Sequence, residues 1–245
     1  MSGPLMVLRA MALAGVALAG TPSDPPGSPT VRHSIGTPRS GRLAGAVRLR
    51  PGPGYFVRDA ATSWGTPTMV AHLHDVLRSL HEAHPRTMLR VGDLSLRGGG
   101  KLSAHRAHQS GRDVDLGLVP PPGIRPRGSF ERGSAERAVP VDPRATLHLL
   151  RELAATSDRP GGAQWVLLDY AVQATLHAEG RAQGLDPAEL DALLQYPHGR
   201  DAARGFVRHM PGHRNHIHVR FACAPGDEEC RGPAEPPAPR VRPAR

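Results

Sequence analysis

Lysine is nearly missing from this chain of 245 residues: Lys101 is the only one among 31 basic side chains. Aromatic residues make up 4% of the sequence, and there are only two cysteines. No apolar run approaches the ~20 residues that cross a bilayer, so no integral membrane segment is expected. No helix-turn-helix, RNA-binding aromatic motif or zinc-finger spacing accompanies the positive charge, so no nucleic-acid partner is expected. The formal net charge of +9 still favours polyanions, such as acidic glycans or carboxylate-rich wall polymers. Apolar residues at 39% suffice for a core, and the length allows one large domain or two small ones. There is no internal repeat, and nothing in the sequence fixes an oligomeric state.

The two ends read as processing and linker segments. Arg9 precedes the apolar run Ala10 to Ala19, and Ala17-Leu18-Ala19 suits cleavage, so residues 1–20 read as an export signal. Residues 21–45 are rich in Pro, Gly, Ser and Thr and read as a linker or N-terminal arm. Residues 231–245 combine proline with arginine and read as a disordered tail. A periplasmic or otherwise exported location follows. In such an oxidising compartment Cys223 and Cys230 would pair across a turn-rich loop. No neighbouring Cys or His pair completes a cysteine-type zinc site around them.

Between these ends, residues 46–230 read as one domain. Thr66-Pro67 is a cap and first turn, and Met69, Leu73, Val76, Leu77 and Leu80 follow at helical spacing to about His84. His72, His74, His81 and His84 in this region read as solvated surface. Residues 47–58 hold a strand, and residues 86–96 a strand and turn. A short strand lies within 111–118. Residues 117–143 hold six prolines and read as a surface insertion, a wall for a cleft. Asp142-Pro143 caps a helix through Leu153, Gln164 to Tyr170 is an apolar strand, and helices follow over 171–183 and 187–195. Asn215 to Phe221 is a strand. Strands and helices do not alternate regularly. The expected fold is therefore α+β, with a mostly antiparallel central sheet, flanking helices and long loops.

The chemistry is concentrated in two stretches, residues 103–115 and 212–220. The first contains His105, His108, Asp113 and Asp115; the second contains His213, His216 and His218. Imidazole and carboxylate are ligands that Zn²⁺ accepts, and catalytic zinc keeps three protein ligands and one open position for water. Strand side chains alternate faces, so His216, His218 and Arg220 share one face, and Ile217, Val219 and Phe221 the other. Asp113 and Asp115 likewise share a face, with Val114 and Leu116 opposite. Either aspartate could be the carboxylate ligand by geometry alone. His105 and His108 could converge if their segment is helical. The constellation points to a metal-dependent hydrolase.

The spacing His-x6-Asp followed by His-x-His resembles the lysostaphin and D-Ala-D-Ala metallopeptidase superfamily. Ser-Ala-His-Arg-Ala-His-Gln-Ser-Gly-Arg-Asp-Val-Asp and His213-Arg-Asn-His-Ile-His-Val-Arg220 are similar to the signatures of penicillin-insensitive murein endopeptidases. So are Ser34-Ile-Gly36, Gly65-Thr-Pro67, Gly92-Asp93, Gly98-Gly-Gly100 and the loop from Cys223 to Cys230. The resemblance implies a zinc-peptidase fold with peptidoglycan as substrate. Its activity would be DD-endopeptidase cleavage of the D-alanyl–diaminopimelate cross-bridge by metal-activated water. It implies Zn²⁺ ligands His108, Asp115 and His218, and leaves Asp113 a supporting group. His216 becomes the catalytic histidine beside the metal. His105 and His213 become further active-site histidines, for ligand support, substrate contact or oxyanion stabilisation. A serine nucleophile is not required, and Ser-x-x-Lys is absent from the sequence. A D-Ala-D-Ala carboxypeptidase or LD-peptidase of the same superfamily would share the ligand pattern, as would a non-catalytic zinc-containing wall-binding module.

Overall fold

The strand expected before Cys223 forms as β10, His216–Phe221, in a computed structural model that describes residues 33–102, 105–126 and 138–232. The export signal, the first part of the linker and all but two residues of the tail lie outside the described residues. β10 pairs antiparallel with β7, Asp113–Gly117. The register sets His218 opposite Asp115 and Arg220 opposite Asp113. Because both strands alternate, the two polar faces merge into one surface. Ile217, Val219 and Phe221 fall on the other side with Val114 and Leu116, all fully buried.

β10 also pairs antiparallel with β8, Ala163–Leu168, and β7 with β6, Leu89–Val91. The outer pairings run the other way. β4, Tyr55–Val57, is parallel to β6, and β9, Val207–His209, is parallel to β8. The six-stranded sheet, in the order β4-β6-β7-β10-β8-β9, is therefore mixed and not mostly antiparallel. The cause is two helical crossovers. α1, Pro67–Ala83, carries the chain from β4 to β6. α3, Tyr170–Ala182, and α4, Pro187–Leu193, carry it from β8 to β9. Parallel neighbours need such connections.

The helices start where the caps direct. Thr66 Oγ1 accepts from the Met69 amide at 3.2 Å, and Asp142 Oδ1 accepts from Ala145 at 3.0 Å to open α2, Pro143–Ala155. Asp169 and Asp186 do the same for α3 and α4. Pro67, Pro143 and Pro187 occupy first-turn positions, where the missing N–H costs nothing. Leu73, Leu77 and Leu80 of α1 and Leu147, Leu150 and Leu153 of α2 join the apolar sheet face in one core. Each such side chain contributes about 1.5–3 kcal/mol of transfer free energy. His72 is buried, not solvated: it stands three residues after Met69 and four before Val76, inside the stripe. Its Nε2 lies 3.0 Å from the Pro160 carbonyl. Leu118 and Val119, at the start of the proline-rich insertion, also enter the core, and residues 127–137 lie outside the described set.

Within the stretch read as linker or arm, β1, Ser34–Thr37, and β2, Ser40–Leu43, form a hairpin. A second small sheet pairs β3, Val47–Arg48, with β5, Trp64–Gly65. The hairpin is fastened from far along the chain. Asp227 accepts from the His33 amide at 2.7 Å, inside the loop closed by the disulfide Cys223–Cys230. Buried Arg112 donates to Ser34 Oγ, to the Phe221 carbonyl and to the Arg231 carbonyl. No helix among the described residues is long and apolar enough to cross a membrane.

Candidate metal centre

The seven histidines and aspartates of the two stretches gather at the polar face of β7 and β10. Asp115 is at the centre. Its Oδ1 lies 2.9 Å from His218 Nδ1 and 3.4 Å from His108 Nε2, and its Oδ2 lies 3.7 Å from His105 Nδ1. The rings of His108 and His218 are 4.9 Å apart. His105, His108 and Asp115 each offer a ligand atom within 4.8 Å of one another. His213 stands 4.7 Å from His216 and 6.0 Å from His218, ring to ring, at the rim.

Each of these groups is held by a neighbour. His108 sits at φ 68°, the only described non-glycine residue in the left-handed region, which is uncommon for non-glycine residues although histidine enters it more readily than most. Its amide donates to Asp113 Oδ2 at 2.9 Å, and its Nδ1 lies 2.9 Å from the Leu94 carbonyl. That leaves His108 Nε2 buried with no hydrogen-bond partner among the described residues. Asn215 Oδ1 lies 2.8 Å from His216 Nδ1. Asp93 Oδ2 is 2.9 Å from His105 Nε2, and the same carboxylate accepts from Thr62 and Arg58. Asp113 is bonded to Arg220 Nε and lies 3.4 Å from His218 Nε2.

These neighbours set the charges. Burial would raise the Asp115 carboxyl, but His108 and His218 outweigh it and hold it well below its ordinary value. Burial of Asp113 is likewise overridden, first by Arg220 and then by His218. Burial pushes His216 down to about 4, although Asp115 pulls the other way. Burial, with His216 and His218 adding to it, also lowers His213. Burial would lower His218 too, but the two carboxylates bring it up to about 9. A field that favours a proton on His218 favours a cation in the same place. The hydrogen bond to Asp93 raises His105. An orphaned imidazole nitrogen, two more imidazoles and an ionised carboxylate converging in a buried site fit a borderline divalent metal such as zinc.

Asp93, Asn215 and Trp165 were not assigned roles from the sequence. Asp93 lies two residues past the end of β6, in the Gly92-Asp93 pair that carries part of the family resemblance, which is the signal in the sequence for it. Burial would raise Asp93, but the bonds from His105 and Thr62 and the Arg58 guanidinium bring it from 3.8 down to about 2. A carboxylate depressed in this way stabilises the fold above its unfolded pKa and loses that contribution as pH falls through the folded one. Asp93→Asn is therefore expected to cost about 2 kcal/mol near neutral pH, with the deficit shrinking as pH nears about 2. Urea unfolding of both proteins across that range measures it; a deficit independent of pH contradicts the ion-pair account.

A family model described as penicillin-insensitive murein endopeptidase matches residues 34–146, which include His105, His108 and Asp115. Curated proteins of that same name are similar over longer spans. The one from Haemophilus influenzae is 30% identical over 212 residues, covering 83% of this chain and 68% of its own length. The Klebsiella pneumoniae subsp. pneumoniae protein is 29% identical over 97% of this chain and 84% of its own. The Pectobacterium atrosepticum protein is 28% identical over 90% and 72%.

Proposed function

The chain belongs to the penicillin-insensitive murein endopeptidase family, and on that premise we propose that it is an exported zinc metallopeptidase acting on peptidoglycan. Its bond is the D-alanyl–diaminopimelate cross-bridge, a DD-endopeptidase activity. The observation that supports this reading is the approach of two imidazoles to Asp115 Oδ1: His108 Nε2, buried and without a hydrogen-bond partner among the described residues, at 3.4 Å, and His218 Nδ1 at 2.9 Å.

Those three groups would hold the zinc. When bound, the ion lowers the pKa of its water toward ~7 and polarises the scissile carbonyl. His216 takes the proton of the attacking water: burial keeps its ring neutral near pH 7, and Asn215 fixes its orientation at 2.8 Å. The same ring then returns the proton to the leaving amine. His105, oriented by its contact with Asp93, is the group that would donate a hydrogen bond to the carbonyl oxygen as that oxygen becomes negative. His213 is pushed toward its neutral form, so a charged His213 is not part of the scheme, and its imidazole serves as a hydrogen-bonding group at the rim. Asp113 holds the far side of His218.

Purified sacculi and dimeric muropeptides test this. The protein is expected to release soluble fragments and to split each dimer into two monomers. A chelator should stop release, and added zinc should restore it. Dimers that lose only a terminal D-alanine would instead make it a carboxypeptidase. Sacculi that bind protein without dissolving would make it a wall-binding module.

A further inference from the structure

Two buried side chains on the polar face take no part in the scheme above, yet Arg220 is hydrogen-bonded to Asp113 beside His218, and Trp165 faces both Arg220 and the His218 ring. Arg220 is on the same strand, two residues on, and its side chain emerges on the same face. Its Nε is bonded to Asp113 Oδ1, and that oxygen stands 3.4 Å from His218 Nε2. The Arg220 guanidinium lies 4.8 Å above the ring of Trp165. The register with β8 sets Trp165 opposite Arg220, so the indole extends along the polar face toward His218. The Trp165 and His218 rings lie 6.0 Å apart and 30° from parallel. Arg220 and Trp165 are both nearly inaccessible, at 5% and 3% exposure.

We propose that Arg220 and Trp165 are positioning residues that clamp the His218 imidazole with Nδ1 turned to Asp115 and the metal position. The inference rests on the zinc reading above. Arg220 locks the Asp113 carboxylate, and the carboxylate occupies the Nε2 side of the ring. Trp165 walls the ring so that it cannot swing about χ1 and χ2. The Trp165 indole N–H is buried without a partner among the described residues, so it is the ring face rather than a hydrogen bond that ties this tryptophan to its surroundings. Arginine suits the other position because one planar guanidinium hydrogen-bonds a carboxylate and stacks flat on an aromatic ring at once; lysine keeps the charge but is a point charge without that plane.

Arg220→Lys and Trp165→Leu, in the full chain, separate positioning from a merely structural counter-charge. Zinc affinity is read by competition with a chromophoric chelator, and ligand geometry by the visible spectrum of the cobalt-substituted protein. Each variant is expected to bind zinc roughly ten- to a hundredfold more weakly than wild type. Each should also give an altered cobalt spectrum while keeping the wild-type circular dichroism. If lysine restores wild-type affinity and spectrum, Arg220 is only a counter-charge and the proposal falls for that residue. If Trp165→Leu also leaves both readouts unchanged, the clamp is refuted outright. Should Arg220→Lys not fold, Trp165→Leu leaves the Arg220–Asp113 pair in place and decides by the same two readouts. A wild-type protein that takes up no stoichiometric zinc overturns the functional reading instead.

Discussion

His216→Ala is expected to retain one zinc per chain and to lose turnover on muropeptide dimers by roughly two to four orders of magnitude, the usual contribution of a positioned general base. The reasoning is spatial. His216 shares the polar face of β10 with His218 but stands opposite Gly117, two pairs beyond Asp115. It is therefore adjacent to the proposed ligands without being one of them. Burial holds it near 4, so it is neutral at working pH and able to accept a proton. Loss of His216 should also remove the limb of the pH–rate profile that this group controls. Elemental analysis and steady-state kinetics on the same preparation give the answer. A variant that has lost its zinc would make His216 a ligand; one with full turnover would leave it no role.

The larger effect is expected at His108. Its backbone is already in the left-handed region, where asparagine is better tolerated than alanine. His108→Asn therefore keeps the local conformation while removing the imidazole. Zinc affinity should drop by more than the roughly ten- to hundredfold typical of groups that only support a ligand. Activity should fall to background and should not return on adding zinc at wild-type saturating levels. Chelator-treated wild type and His108→Asn should melt within a few degrees of each other. Stoichiometric zinc in the variant would remove His108 from the ligand set and leave His105, whose Nδ1 lies 3.7 Å from Asp115, as the alternative.

Much of this was legible in the sequence because it is local. Thr66-Pro67, Asp142-Pro143 and Asp186-Pro187 are start signals contained in two residues each, and each opens a helix. The alternation of His216 to Phe221 settles which side chains share a face before any partner strand is known. What escaped is non-local. β9 has three residues, too few for a pattern, and the directions of β4 and β9 depend on helices between them and their partners. The hairpin β1–β2 looks like linker by composition, and its anchor, Asp227, is 194 residues away from His33. Asp93 and Trp165 reach the centre only through tertiary contacts, so spacing arguments confined to the two histidine stretches passed them by. His72 is a different case: it is a polar type, but its position on the apolar stripe of α1 decides its burial.

The pairing of β7 with β10 has a consequence for how such a chain can vary. Every residue that faces the metal position alternates with one that faces the core, on both strands at once. Deleting one residue within either strand would turn the aspartates of β7 or the imidazoles of β10 into the hydrophobic interior, and leucine, isoleucine or valine toward the substrate. Catalysis and folding are thus inherited as a single unit across these eleven positions. Changes of length are confined to the connections, such as the proline-rich stretch between β7 and α2, where neither alternation is disturbed.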